Sequence, residues 1–170
     1  SIKSAVAFSR AASASASAAP PKTLDFIARR GAPETHPFLT RLKSDLFELI
    51  DHALAGTLDR VKADWDRRSA LGVVLAAHNY PEEPRKGDRI DGLPKPTDDC
   101  RVFHAGTRKE GKEILTNGGR VLCVTALGDS VKMARTRAYE AGDHIQFAGM
   151  QYRKGIGRSE EHTSELQSLA

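Results

Sequence analysis

Two stretches of this sequence pair cations with glycine, Arg85-Lys86-Gly87-Asp88 and Asn117-Gly118-Gly119-Arg120. A glycine lets the backbone approach an anion closely, and Arg85 and Lys86 would neutralise its charge. In the second stretch two glycines expose N–H groups, and Arg120 can fork onto phosphate oxygens. Such loops hold a phosphate; they do not break a bond. Both also read as solvated turns, the second as a tight connection between strands. His104 lies between Phe103 and Ala105, where it could act as an acid or base or sit hydrogen-bonded in a core. The core role is the expectation. His36, His52, His78 and His144 are scattered without ligand spacing. Cys100 and Cys123 are too few for a zinc site or a disulfide framework. Cys123 sits in an apolar run, where a free thiol behaves as a small hydrophobe.

The elements that must position these residues follow from apolar spacing. Residues 24–29 read as a strand ending at Gly31. Pro33 and Glu34 then start a helix with Phe38, Leu42, Leu46, Leu49 and Ala53 on one face, stopped at Gly56. A shorter amphipathic piece carries Leu58, Val61 and Trp65, with Trp65 expected in the core. Residues 71–77 form a continuous apolar run of strand length, expected to be buried on both faces. Residues 78–96 read as loop. Strands 102–105 and 113–116 flank Lys109-Glu110-Gly111 as a hairpin. Strand 121–126 is reached through the second glycine loop, and Asp129 caps a helix with the stripe Val131, Ala134, Ala138, Ala141 and Ile145. The sum is an α+β domain: a small antiparallel, barrel-like sheet with flanking helices.

The bulk properties exclude several classes. The 170 residues suit one ordinary domain, with a net charge of +4. No apolar run approaches the ~18 residues of a membrane span. No basic stripe is interleaved with aromatics, so no nucleic-acid partner is expected. Residues 1–20 are low-complexity, Ala/Ser-rich and acid-free, a composition shared with transit peptides but expected here to be disordered. Residues 158–170 look like the in-frame translation of a sequencing-library adapter, and are set aside from the fold.

Read in order, these segments resemble one family, the glycinamide ribonucleotide synthetases. Pro33-Glu34-Thr35 and Arg41-Leu42-Lys43-Ser44-Asp45-Leu46 resemble the helix that closes their ATP-grasp domain. Leu71-Gly72-Val73-Val74-Leu75-Ala76-Ala77 resembles the strand that opens their C-terminal domain. Tyr80-Pro81, Phe103-His104-Ala105-Gly106-Thr107, Val124-Thr125-Ala126-Leu127-Gly128-Asp129 and Tyr152-Arg153-Lys154 follow at the family's spacing, as do the two glycine stretches. The resemblance runs over residues 21–157. It implies a remnant of the ATP-grasp domain at 21–66 and the C-terminal domain at 67–157.

The resemblance further implies a cytoplasmic ATP-dependent ligase of purine biosynthesis, acting on glycine and phosphoribosylamine with ATP and Mg2+ or Mn2+. It implies no catalytic residue within this chain, and missing N-terminal and ATP-grasp domains as its partners. The family keeps its metal ligands in the pattern E-F-N-x-R-F-G-D-P-E. Here that stretch is Asp25-Phe26-Ile27-Ala28-Arg29-Arg30-Gly31-Ala32-Pro33-Glu34. Alternation puts residues 25, 27 and 29 on one face. Asp25 keeps a carboxylate for the metal and Arg29 keeps a cation for an anion. Ile27 cannot ligate magnesium, which requires oxygen, and Ala32 loses an acid. The resemblance makes Arg85, Lys86, Gly87, Asn117, Gly118, Gly119 and Arg120 candidates for the ribose phosphate. The alternative is a non-catalytic module that binds a small phosphate or a partner.

Overall fold

The computed structural model describes residues 35–158. The expected strand at 24–29, with Asp25, Ile27 and Arg29, lies outside the described residues, as do the two expected foreign ends apart from Arg158.

The centre is a three-stranded antiparallel sheet in the order β1 (Ser69–Ala76), β5 (Arg120–Gly128), β2 (Cys100–His104). The apolar runs at 71–77 and 121–126 are thus the strands they were expected to be. Leu71, Val73 and Leu75 stand opposite Ala126, Val124 and Leu122, and all six join one core cluster. Opposed residues of an antiparallel pair share a face, so this face is the one that helix α3 (Val131–Asp143) covers. Ala134 and Ala138 of α3 are fully buried against it. The register shifts between Leu75 and Ala76, where Val121 has no partner on β1. This β-bulge puts Val121 and its neighbour Leu122 in the same core. The opposite face carries Gly72 and Cys123, against Pro37 of helix α1 (Thr35–Thr40). A Cβ on Gly72 would come within 2.9 Å of the Pro37 ring, so the close approach requires glycine.

The hairpin differs from its expectation. Its strands are β3 (Thr107–Glu110) and β4 (Glu113–Thr116), joined through Gly111 at φ +57°. Residues 102–105 instead fall largely in β2, which pairs with β5. β3 is polar throughout and half-buried only at Thr107, so it shows no alternation to announce a strand. Single bridges then tie the two sheets into a barrel-like wall: Arg89 to Leu115, Asp91 to Gln146, and Ala76 to Gln151. Ile90, Ile145 and Phe147 fill the space between.

The helix expected from Pro33 to Gly56 is broken in two. α1 ends at Thr40, and α2 (Leu46–Leu54) begins afresh with Asp45 accepting from the Phe47 N–H at 2.8 Å. A tertiary contact causes the break. The Lys43 N–H donates to the Asp64 carbonyl at 2.9 Å, the Asp66 N–H to the Arg41 carbonyl at 2.7 Å, and the Arg41 guanidinium to the Asp66 carbonyl. Gly56, at φ +68°, stops α2 as expected: Thr57 and Gly56 donate back to His52 and Ala53. A 3-10 turn follows at Leu58–Arg60. Trp65 is half-buried rather than core, tilted against Phe38 at 4.7 Å. The cap of α3 is Ser130, not Asp129; its side chain accepts from the Met133 N–H at 3.2 Å.

Candidate anion-binding site

Thr116, the last residue of β4, is fully buried and joins the two glycine loops. Its carbonyl accepts from the Gly87 N–H at 2.7 Å, its N–H donates to the Asp88 carbonyl at 2.8 Å, and its Oγ1 accepts from the Asp88 N–H at 3.0 Å. Residues 85–88 and 117–120 are therefore neighbours at one end of the barrel-like wall. The chain closes the site further with Ala77 donating to the Gly119 carbonyl at 2.8 Å and Asn117 donating to the Gly106 carbonyl at 2.7 Å.

The glycines meet different demands. Gly87 sits at φ +88° with open space where a Cβ would be, so conformation alone selects it. Gly119 packs under the Tyr80 ring, which a Cβ would strike at 2.4 Å. Gly118 faces Gly106 so closely that a Cβ on Gly106 would meet the Gly118 Cα at 2.9 Å.

The structure brings together seven of the residues singled out by sequence: Arg85, Lys86, Gly87, Asn117, Gly118, Gly119 and Arg120. Arg85, Lys86, Asn117 and Arg120 are exposed. Arg85 is engaged by Asp88, Nε to Oδ2 at 2.8 Å, and this hydrogen bond and charge raise its pKa. The Gly87 and Asn117 N–H groups are spent within the chain. What remains can attract an anion, with no nucleophile or proton-transfer pair at hand. Among the described residues no group of three or more His, Cys, Asp or Glu could hold a metal ion.

His104 is neither in the core nor in a pocket. It ends β2 exposed, its Nδ1 within 3.1 Å of Thr107 Oγ1. The Cys123 thiol is buried as expected, and burial raises its pKa.

Sequence reasoning missed a second charged cluster, Asp66, Arg68, Asp99 and Arg137. Arg68 forks onto Asp66 at 2.7 Å and reaches Asp99 at 2.5 Å, and Arg137 meets Asp99 at 3.2 Å. The Arg68 hydrogen bonds hold the Asp66 carboxyl well below the usual carboxylate range. The cluster joins the chain leaving α2 to α3 and to the turn before β2. Asp66 and Arg68, two apart, were the available signal; their partners 31 and more residues away were not. A cleft of 320 Å³ between α1 and β2, lined by His36, Leu42, Arg101 and Phe103 among others, includes none of the seven loop residues.

Residues 70–159 match the family model described as phosphoribosylglycinamide synthetase, C domain. The phosphoribosylamine–glycine ligase of Ralstonia nicotianae is 57% identical over 137 residues, which are 81% of this chain and 32% of that one. That of Neisseria meningitidis serogroup A is 54% identical over 137 residues, 80% of this chain and 32% of the relative. The crystal structure of the phosphoribosylamine–glycine ligase of Thermotoga maritima superposes with a TM-score of 0.60 at 33% identity, covering 76% of this chain and 32% of that chain. The chain thus spans about a third of the length of the relatives it matches. A match of 137 residues cannot fit C-terminal to residue 70, so it also takes in α1 and α2.

Proposed function

The chain belongs to the phosphoribosylglycinamide synthetase C-domain family, and from that membership we propose that it is the C-terminal portion of an ATP-dependent ligase. The parent enzyme joins glycine to 5-phosphoribosylamine in de novo purine synthesis, giving glycinamide ribonucleotide, ADP and phosphate. The portion itself carries no complete active site. The observation that carries this reading is the 57% identity over 137 residues to a ligase three times as long.

In this reading ATP and a divalent cation, Mg2+ or Mn2+, bind chiefly to the absent part, with Asp25 and Arg29 at its margin. Ile27 and Ala32 depart from the family's pattern there, so the metal site is damaged in this chain. The loops at 85–88 and 117–120 help hold the ribose phosphate: Lys86 and Arg120 supply charge, while Gly87, Gly118 and Gly119 shape the backbone. Their internal hydrogen bonds fit a portion whose pocket is completed by other domains better than a self-sufficient anion-binding module. The setting is the cytoplasm; among the described residues no helix is long and apolar enough to cross a membrane.

Two experiments test the reading. Titration of the chain with ribose 5-phosphate should give no binding at micromolar concentration; micromolar affinity would favour the stand-alone module. In the full-length Ralstonia relative, replacing the arginine aligned with Arg120 by alanine should raise KM for phosphoribosylamine more than KM for ATP. An unchanged value would remove this loop from the substrate site.

A further inference from the structure

Helix α2 is amphipathic, yet none of its residues is buried. Phe47 is 76% exposed and Leu54 84%, and Leu46 and Ile50 are exposed beside them. Leu46, Ile50 and Leu54 lie four apart, so they line one stripe of the helix. Leu58 in the following turn adds a fifth exposed apolar side chain. A continuous apolar stripe on an otherwise solvated helix marks a docking surface. The platform is held in place: Asp45 and Gly56 cap the helix, residues 41–44 are bonded to 64–66, and Asp66 is tied by Arg68 to Asp99.

We propose that this stripe is the surface on which the remaining two-thirds of the ligase polypeptide seats, and that this chain and that piece associate without a covalent link. The proposal rests on the reading of the chain as a ligase portion. Three observations select this occupant. The match to the relatives takes in α2, whereas the C-domain match starts only at residue 70, so α2 belongs to what precedes that domain in them. The relatives continue well beyond this chain, which covers 32% of their length. The C-terminal sheet has its own closed core and takes nothing from α2, so it is a body that folds before it docks. A second copy is the weaker candidate. On a helical wheel Asp51 falls on the rim of the stripe near its midpoint, so two-fold pairing of α2 with itself would bring like charges together.

The test uses the full 170-residue chain and, as a separate polypeptide, the Ralstonia relative truncated before its matched segment. Association is read by sedimentation and by the emission of Trp65, the single tryptophan of the chain. A 1:1 complex at micromolar concentration is expected, weakened at least tenfold by Phe47→Asp or Leu54→Asp. Both positions are exposed, so each variant should keep the wild-type unfolding midpoint, and a Leu122→Asp control should not. No complex, or a complex indifferent to both substitutions, overturns the proposal. So does a dimer of the chain alone that both substitutions abolish and the Ralstonia piece fails to displace. Ligase activity is assayed apart from binding: a complex without activity keeps the docking surface and counts against the ligase reading, whereas absence of a complex removes the surface and leaves that reading standing.

Discussion

Leu122 in β5 is completely buried, while Leu54 at the end of α2 keeps 84% of its surface in solvent. The two leucines stand for two regions. Residues 69–158 close on themselves: β1 and β5 present an unbroken apolar face to α3, and single bridges draw the hairpin and the 146–151 segment around the same core. Residues 35–66 do not close. Their contacts are a helix lying on the outer face of the sheet, backbone bonds between 41–44 and 64–66, and the Asp66–Arg68–Asp99 ion pairs. The difference teaches where a folding unit ends. A unit buries its own apolar residues, whereas a piece of another unit carries its hydrophobic stripe uncovered.

Four predictions probe this contrast, in order of expected effect. Leu122→Ala should lower unfolding stability in urea by about 3 kcal/mol, as cavities in closed cores do. Leu54→Ala should change it by no more than about 0.5 kcal/mol. Comparable effects would mean that α2 belongs to the same cooperative unit. Next, two glycines with similar dihedrals should separate the regions. Gly92 and Gly56 sit at φ +74° and +68°. A Cβ at Gly92 would lie 1.9 Å from the His144 carbonyl oxygen, whereas at Gly56 nothing is within 4 Å. Gly56→Ala should therefore cost only about 1–2 kcal/mol for the left-handed backbone, felt locally in α2, and Gly92→Ala should cost more and act on the global midpoint.

Hydrogen exchange should rank the same way, with α2 amides exchanging at least tenfold faster than those of β5. Equal protection in the isolated chain would contradict an uncovered α2. The smallest effect concerns acid. Asp66 has a folded pKa below its unfolded value of about 3.9. Its contribution to stability is therefore full above about pH 4 and is lost as pH falls further. The gap in thermal midpoint between wild type and Asp66→Asn should be constant from pH 8 to 5 and narrow below 4. A gap that persists at pH 2 would show that the carboxylate charge is not its source.

How much of this was legible beforehand varies by element. The strands at 71–77 and 121–126 and the stripe of α3 were readable because an apolar run or a three-four spacing reports burial directly. The broken helix was not, because the apolar spacing continues through Leu42 and the break is made by residues 64–66, some twenty positions away. The hairpin was misassigned because β3 is polar and its neighbour β2 pairs with a strand that comes later in the chain. Both glycine loops were visible as loops. Their meeting depends on Thr116, one buried threonine with no motif around it. The Arg68 cluster was hidden for the same reason: its partners are distant in sequence.

The bulge at Val121 has a consequence for how the chain tolerates insertion and deletion. A strand is a two-beat register, and one extra residue inverts every side chain on one side of it. Removing position 121 would leave β5 regular, yet it would turn residues 117–120 over relative to the rest of the strand. Arg120 and its glycines would then be carried to the wrong side while the composition of the loop stayed the same. Length, rather than residue identity, is the quantity the chain must conserve at this point.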